Sequence, residues 1–138
     1  MSSERLNIPQ AIYDQMLAHG RTTLPFETCG LLSGNNGNVQ SIWKLENELK
    51  SDRRFFVGKG IIEETIREIK SLDEQVLAIY HTHPTTAPVP SFYDITNHPD
   101  EVVKMVIVSY KTMHPITKCY NICGANHQEC LFWLEPSL

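Results

Sequence analysis

The chain has 138 residues, 41% of them hydrophobic and 20% charged, with a formal net charge of −4 and a pI near 5.8. That length and balance describe one domain, residues 1–138, with a core able to stand without disulfides. The mild acidity offers no basic field for nucleic acid or an anionic membrane. No stretch approaches the roughly 18 apolar residues of a bilayer span, and the start, Met-Ser-Ser-Glu-Arg-Leu-Asn, lacks a signal-peptide core. The expected location is the cytoplasm. Cys29, Cys119, Cys123 and Cys130 make neither a CxxC pair nor a dense disulfide framework, so reduced thiols are expected.

In chain order, Ile8 to His19 reads as an amphipathic helix: Pro9 suits a first turn, Ile8, Ile12 and Met16 recur every four residues, and Gly20 follows the end. Next, Glu27 to Gly34 enters a short apolar strand. Asn35-Asn36-Gly37-Asn38 is a tight-turn signal leading into a second strand, Val39 to Leu45, so the two should form a hairpin. The polar stretch Glu46 to Arg54 reads as a loop and Phe55-Phe56-Val57 as a brief strand. Lys59 to Leu72 is a second helix, with Ile62, Ile66 and Ile69 at helical spacing.

The run Val76-Leu77-Ala78-Ile79-Tyr80 predicts a strand that ends in His81-Thr82-His83-Pro84. A proline-rich loop follows, and a new helix opens at Ser91-Phe92-Tyr93-Asp94. Met105-Val106-Ile107-Val108 has the apolar run of a strand covered on both faces. Ile116 to Gly124 and Glu129 to Leu134 complete the strands, with Phe132 and Trp133 packing the core and sheet face. A mixed sheet with helices packed against it places the chain in the α/β layered class.

The chemistry concentrates at the end of the Val76 strand. Histidines at i and i+2 leave a strand on one face, where they can share a metal. Asp94, in the first turn of the new helix, can point back at them. Two nitrogens and one oxygen with a fourth position left to water is the pattern of a catalytic rather than a structural zinc. Taken singly the parts are ordinary: Ser91-x-x-Asp94 matches a capping box, and isolated His-x-His pairs are common. Together they give each residue a separate task. A metal-assisted hydrolysis also needs a base. Spacing alone does not choose among Glu27, Glu46, Glu63, Asp73 and Glu101, although Glu27 sits at the mouth of an apolar strand with no adjacent lysine or arginine. His98, His114 and His127 stand apart from the motif and read as loop or surface residues. Cys119 and Cys123 are not read as a second metal site.

Pro25-Phe26-Glu27-Thr28-Cys29-Gly30-Leu31-Leu32-Ser33-Gly34, His81-Thr82-His83-Pro84 and, with seven residues between His83 and Ser91, Ser91-Phe92-Tyr93-Asp94 resemble the JAMM (MPN+) metallopeptidase family. The likeness is greatest to its short stand-alone prokaryotic members. The resemblance implies a curved mixed sheet flanked by helices, related to the fold of cytidine deaminases. It implies one Zn2+ per chain on His81, His83 and Asp94, with Glu27 as general base and then general acid, and Ser91 as a hydrogen-bond donor to the oxyanion. Thr82 would support the backbone and Cys29 would be a small buried core residue. The implied activity is hydrolysis of an amide or isopeptide bond after the C-terminal tail of a ubiquitin-like protein, such as a bacterial sulfur carrier. The short Pro84 to Pro90 segment leaves little room for the insertions of linkage-specific deubiquitinating relatives.

Two other readings stay open. One is a non-catalytic MPN-type interaction scaffold, against which the complete residue set argues. The other is a zinc hydrolase of a small molecule, against which the absent His-x-Glu and Pro-Cys-x-x-Cys pattern of the zinc deaminases argues. Either a monomer or a homodimer fits the chain.

Overall fold

The structure, a computed structural model, describes residues 5–136. Its elements are β1 (Leu6–Pro9), α1 (Gln10–Thr22), β2 (Cys29–Asn35), β3 (Asn38–Leu45), α2 (Lys59–Ser71), β4 (Gln75–His83), α3 (Phe92–Thr96), β5 (Lys104–Ser109), β6 (Ile116–Cys123), β7 (Asn126–Cys130) and β8 (Phe132–Glu135). The strands make one mixed sheet in the order β7-β6-β5-β4-β2-β3-β1-β8. β7 and β8 lie at opposite ends of that order, yet Leu131 alone separates them in the chain. A flat sheet cannot be spanned by one residue, so the sheet curls until its two edges approach.

The β2–β3 hairpin follows its turn chemistry. Asn36 and Gly37 both take positive φ, 54° and 78°, the conformation of a two-residue primed turn. The run Lys104 to Ser109 is buried along its whole length, as an interior strand requires: β5 pairs in parallel with β4 and antiparallel with β6. Strand alternation then divides the core in two. Leu32, Tyr80, Val106, Val108 and Cys119 face α1, packing with Ile12 and Met16, whereas Met105, Ile107, Tyr120 and Ile122 form a second cluster with Ile95 of α3.

Three expectations change. Ile8 belongs to β1, in register with Leu134 of β8, and the first helix starts only at Gln10 and runs on to Thr22, with Pro9 at its N-cap and Gly20 inside it rather than after its end. Pro9 fits a helix start or a strand end equally, so the β1 pairing, more than a hundred residues distant in sequence, decides. Phe55, Phe56 and Val57 form no strand; the Phe55 ring serves the site described below. The apolar run ending at Leu134 splits at Leu131, and while Phe132 packs into the core, Trp133 is half-exposed beneath the Arg5 guanidinium, 4.6 Å away.

One glycine is dictated by close approach. A Cβ at Gly30 would lie 2.3–2.4 Å from the ring of Tyr80, which is fully buried and tied by its hydroxyl to His19 Nδ1 at 2.7 Å. The ring cannot move aside. Gly30→Ala is therefore expected to lower the stability measured by urea unfolding by about 2 kcal/mol, and an unchanged midpoint would show that β2 can shift to make room.

Candidate metal centre

His81 and His83 end β4 in the middle of the sheet, with β2 on one side and β5 on the other. That position buries them both. Cys29 stands directly across from His81. One residue on, the Thr82 N–H donates to Thr28 O at 3.0 Å and Thr82 Oγ1 accepts the Thr28 N–H at 2.8 Å. This double clasp carries the β2–β4 register one step past the strand and sets Glu27 across from His83. Opposed residues share a face, so Glu27, Cys29, His81 and His83 leave on the same side and Thr82 on the other.

The third group arrives from α3. Ser91 and Asp94 do form a capping box: Ser91 Oγ accepts the Asp94 N–H at 3.0 Å and Asp94 Oδ2 accepts the Ser91 N–H at 2.9 Å. The same Oδ2 lies 3.0 Å from His81 Nε2 and 3.1 Å from His83 Nε2, and the two nitrogens are 3.2 Å apart. The cap and the convergence are therefore one arrangement. Side chains from two further strands shape the connecting loop, with Ser109 Oγ donating to Thr86 O at 2.6 Å and Tyr120 Oη to Pro88 O at 2.6 Å.

His83 Nδ1 faces the Ala87 carbonyl at 2.8 Å. A carbonyl only accepts, so Nδ1 carries the hydrogen, and in the neutral ring Nε2 presents a lone pair toward Asp94 Oδ2. Electron-rich atoms this close in a buried pocket call for a cation between them. Ligand bonds of zinc length in tetrahedral geometry put the ligand atoms about 3.3 Å apart, and the observed edges of 3.0–3.2 Å fit it. Among the described residues, His81, His83 and Asp94 are the one group of three such side chains that could hold a metal ion. Asp94 Oδ1 and Glu27 Oε1 are buried without a hydrogen-bond partner, two further polar atoms available at the site.

Electrostatics separate the two carboxylates. Burial pushes the Glu27 carboxyl up to about 9, with the Asp94 and Asp52 charges adding to it. Burial acts the same way on Asp94, but hydrogen bonds from both histidines, the charge of His81 and the Ser91 N–H outweigh it and hold Asp94 well below the usual carboxylate range. Burial lowers His81, against the pull of Asp94. Burial and then the Glu27 charge raise the Cys29 thiol to about 12, which leaves it an unreactive thiol.

The other acidic candidates disperse: Glu46, Glu63, Asp73 and Glu101 are all exposed, whereas Glu27 is 3% exposed. His98 donates to Val103 O at 2.5 Å, and His127 packs edge-on against Tyr120. Reading the sequence missed Phe55, whose ring stacks on His81 with centroids 5.0 Å apart, and Tyr93, whose hydroxyl donates to Phe55 O at 3.2 Å. It also missed Asn47. Its amide donates to Glu27 O and Arg54 O and accepts from Leu49 N and Phe56 N, fastening the loop after β3 to the Glu27 backbone. A lone asparagine in a polar stretch carries no local sign of that role.

The domain family described as prokaryotic homologs of the JAB domain matches residues 9–122. The chain belongs to this family. Among its relatives, the CysO-cysteine peptidase of Mycobacterium tuberculosis is 28% identical over 105 residues, covering 75% of this chain and 72% of that one. The desampylase of Haloferax volcanii is 30% identical over 103 residues, covering 68% and 73%. A solution structure of a Desulfitobacterium hafniense protein superposes with a TM-score of 0.85 at 24% identity, covering 96% and 94% of the two chains. A JAB1/MPN domain protein from Archaeoglobus fulgidus does so with 0.63 at 20% identity, covering 97% and 100%. The expected JAMM/MPN fold is therefore the one this JAB-family chain adopts.

Stability should record the Glu27 environment in the metal-free protein. The folded state keeps this proton up to about 9, while the unfolded carboxyl loses it near 4.5. Between those values the folded state binds more protons, so stability falls as pH rises through the window. Metal-free Glu27→Gln is expected to melt close to wild type at about pH 5 and several degrees above it at about pH 8. Coincident melting at both pH values would mean that Glu27 ionises freely.

Proposed function

We propose that this chain is a single-domain zinc metallopeptidase that hydrolyses the amide or isopeptide bond after the C-terminal tail of a ubiquitin-like protein, a sulfur carrier being the favoured substrate. The observation that carries the reading is the convergence of His81 Nε2, His83 Nε2 and Asp94 Oδ2 within 3.2 Å, with Glu27 across from His83. The CysO-cysteine peptidase and desampylase relatives support the substrate class.

In this reading His81, His83 and Asp94 hold one zinc ion. When bound, zinc supplies an acidic water and polarises the scissile carbonyl. Glu27 is the proton carrier: once a cation offsets its burial it ionises, takes the proton of the attacking water and passes it to the leaving amine. Ser91 accepts the Asp94 N–H with its oxygen, which leaves its own hydrogen to donate to the developing oxyanion. The Ala87 carbonyl orients the His83 ring and Phe55 covers His81, so neither imidazole turns when substrate enters.

Metal content and turnover test these roles separately. Elemental analysis after zinc reconstitution should find one zinc per chain in wild type and Glu27→Gln and none in Asp94→Ala. On a ubiquitin-fold carrier bearing one extra C-terminal residue, Glu27→Gln should lose kcat by about 10²–10⁴ and Ser91→Ala by about 10². A chain that takes up no zinc yet binds the carrier would be a scaffold. Zinc uptake with cleavage of neither amide nor isopeptide would remove the peptidase assignment.

A further inference from the structure

Away from the metal centre, two sulfurs meet at the seam where the curled sheet nearly closes. Cys119 of β6 and Cys130 of β7 are directly opposed in the antiparallel register, and their Sγ atoms are 3.2 Å apart. Opposed residues in antiparallel strands have Cα atoms about 4.5 or 5.5 Å apart, both inside the span a disulfide bridges. Closing the bond, about 2.05 Å long, needs only side-chain rotation. The two thiols differ in access. Cys119 is fully buried, while Cys130 is half-buried next to the exposed Leu131.

A buried cation faces the pair. Lys104 of β5 is 4% exposed, and its Nζ donates to Asn121 Oδ1 at 2.8 Å. Asn121 lies two residues from Cys119 on β6, so it shares a face with it; Val106, two residues from Lys104, is the partner of Cys119. Lys104, Cys119 and Cys130 therefore project into the same α1-facing layer. Among the described residues no carboxylate lies within ion-pair distance of the Lys104 ammonium.

We propose that Cys119 and Cys130 form a redox-active dithiol that exchanges with low-molecular-weight disulfides, Cys130 as the entering nucleophile, Cys119 as the resolving thiol and Lys104 as the cation that favours the thiolate. In the neutral pair the Cys130 thiol donates to Cys119. The sulfur that reaches solvent holds negative charge at lower cost, so it is Cys130 that gives up its proton, and Cys119 keeps its own and donates it to the thiolate. In accord with this, that hydrogen bond, together with Lys104 and against burial, brings Cys130 down to about 7, whereas the same contact and burial push Cys119 up. The Cys130 thiolate attacks one sulfur of the small disulfide, forming a mixed disulfide and expelling one small thiolate. Cys119 then loses its proton, and its sulfur attacks Cys130 Sγ and displaces the second. Two protein thiols are oxidised, one small disulfide is reduced to two thiols, and the protons released by Cys130 and Cys119 balance them. The new bond ties β7 to β6 at the seam. Neither partner in this chemistry touches the metal centre, so the inference is independent of the peptidase reading.

Glutathione disulfide is the probe, used on the full chain carrying Cys123→Ser, which removes the exposed thiol elsewhere on β6. Intact mass and peptide mapping should find the loss of two hydrogens, a Cys119–Cys130 link, and a melting temperature several degrees higher that dithiothreitol reverses. Adding Cys119→Ser should arrest the reaction as one glutathione adduct on Cys130. Lys104→Met should slow the first step about tenfold. A lasting glutathione adduct in the protein with both cysteines, first reaction at Cys119, or a Lys104→Met rate equal to that of the parent would overturn the assignment.

Discussion

Three electron-rich atoms held within 3.2 Å of one another in a buried pocket are the constraint from which the rest of this structure follows. Side chains left to themselves would turn such atoms apart, so each is fixed by a neighbour that does not itself contribute to the cluster. The Ala87 carbonyl decides which His83 nitrogen bears the hydrogen. The Ser91 N–H anchors Asp94 Oδ2, and Phe55 covers the His81 ring. These neighbours come from a loop, a helix cap and the irregular stretch between β3 and α2. The strands beneath supply their rigidity, with Ser109 and Tyr120 holding the loop from β5 and β6. The shortness of that loop is a consequence as well, since a longer excursion from His83 to Ser91 would need more such anchors.

The two carboxylates illustrate how one small volume sets opposite protonation states. Both are buried, and burial alone raises both. Asp94 meets two imidazoles and a backbone N–H, which favour its charge. Glu27 Oε1 meets no donor and senses the charge of Asp94. A pair of titratable groups pushed apart by its surroundings is the arrangement in which one carboxylate holds a fixed charge while the other moves a proton. A cation shared by the three ligand atoms would act on Glu27 across the same short space, coupling its ionisation to metal occupancy.

What could be read in the amino-acid sequence was whatever depends on near neighbours. Alternation placed His81 and His83 on one face, Asn36-Gly37 marked the hairpin, and the unbroken apolar run around Val106 marked a strand buried on both sides. Ser91-x-x-Asp94 was legible twice, as a cap and as a ligand position, and both readings describe the same atoms. The features that escaped depend on distant partners. Ile8 has the spacing of a helix residue but pairs with Leu134 at the other end of the chain. Phe55 looks like strand and works as a stacking ring, and Asn47 gains its role only because the loop after β3 folds back onto Glu27. Glu27 could be ranked first among five acidic residues by its neighbours in sequence, yet its burial comes from tertiary packing.

Alternation with a period of two also keeps the two reactive parts of the molecule apart. On β4, Tyr80 and Thr82 face α1 while His81 and His83 face the opposite way; on β5, Lys104 and Val106 share the α1 side, and Ile107 the other. A dithiol beside a thiolate-seeking metal would compete for it as a ligand. Here Cys119 and Cys130 lie in the α1 layer and the histidines in the other, with the hydrogen-bonded sheet between them. The one cysteine on the metal side, Cys29, is buried with its thiol held protonated near Glu27. A one-residue slip of the paired β6 and β7 together against β5 would turn both sulfurs through the sheet, so the register that gives Cys119 its place in the core is also what keeps thiol and imidazole chemistry separate.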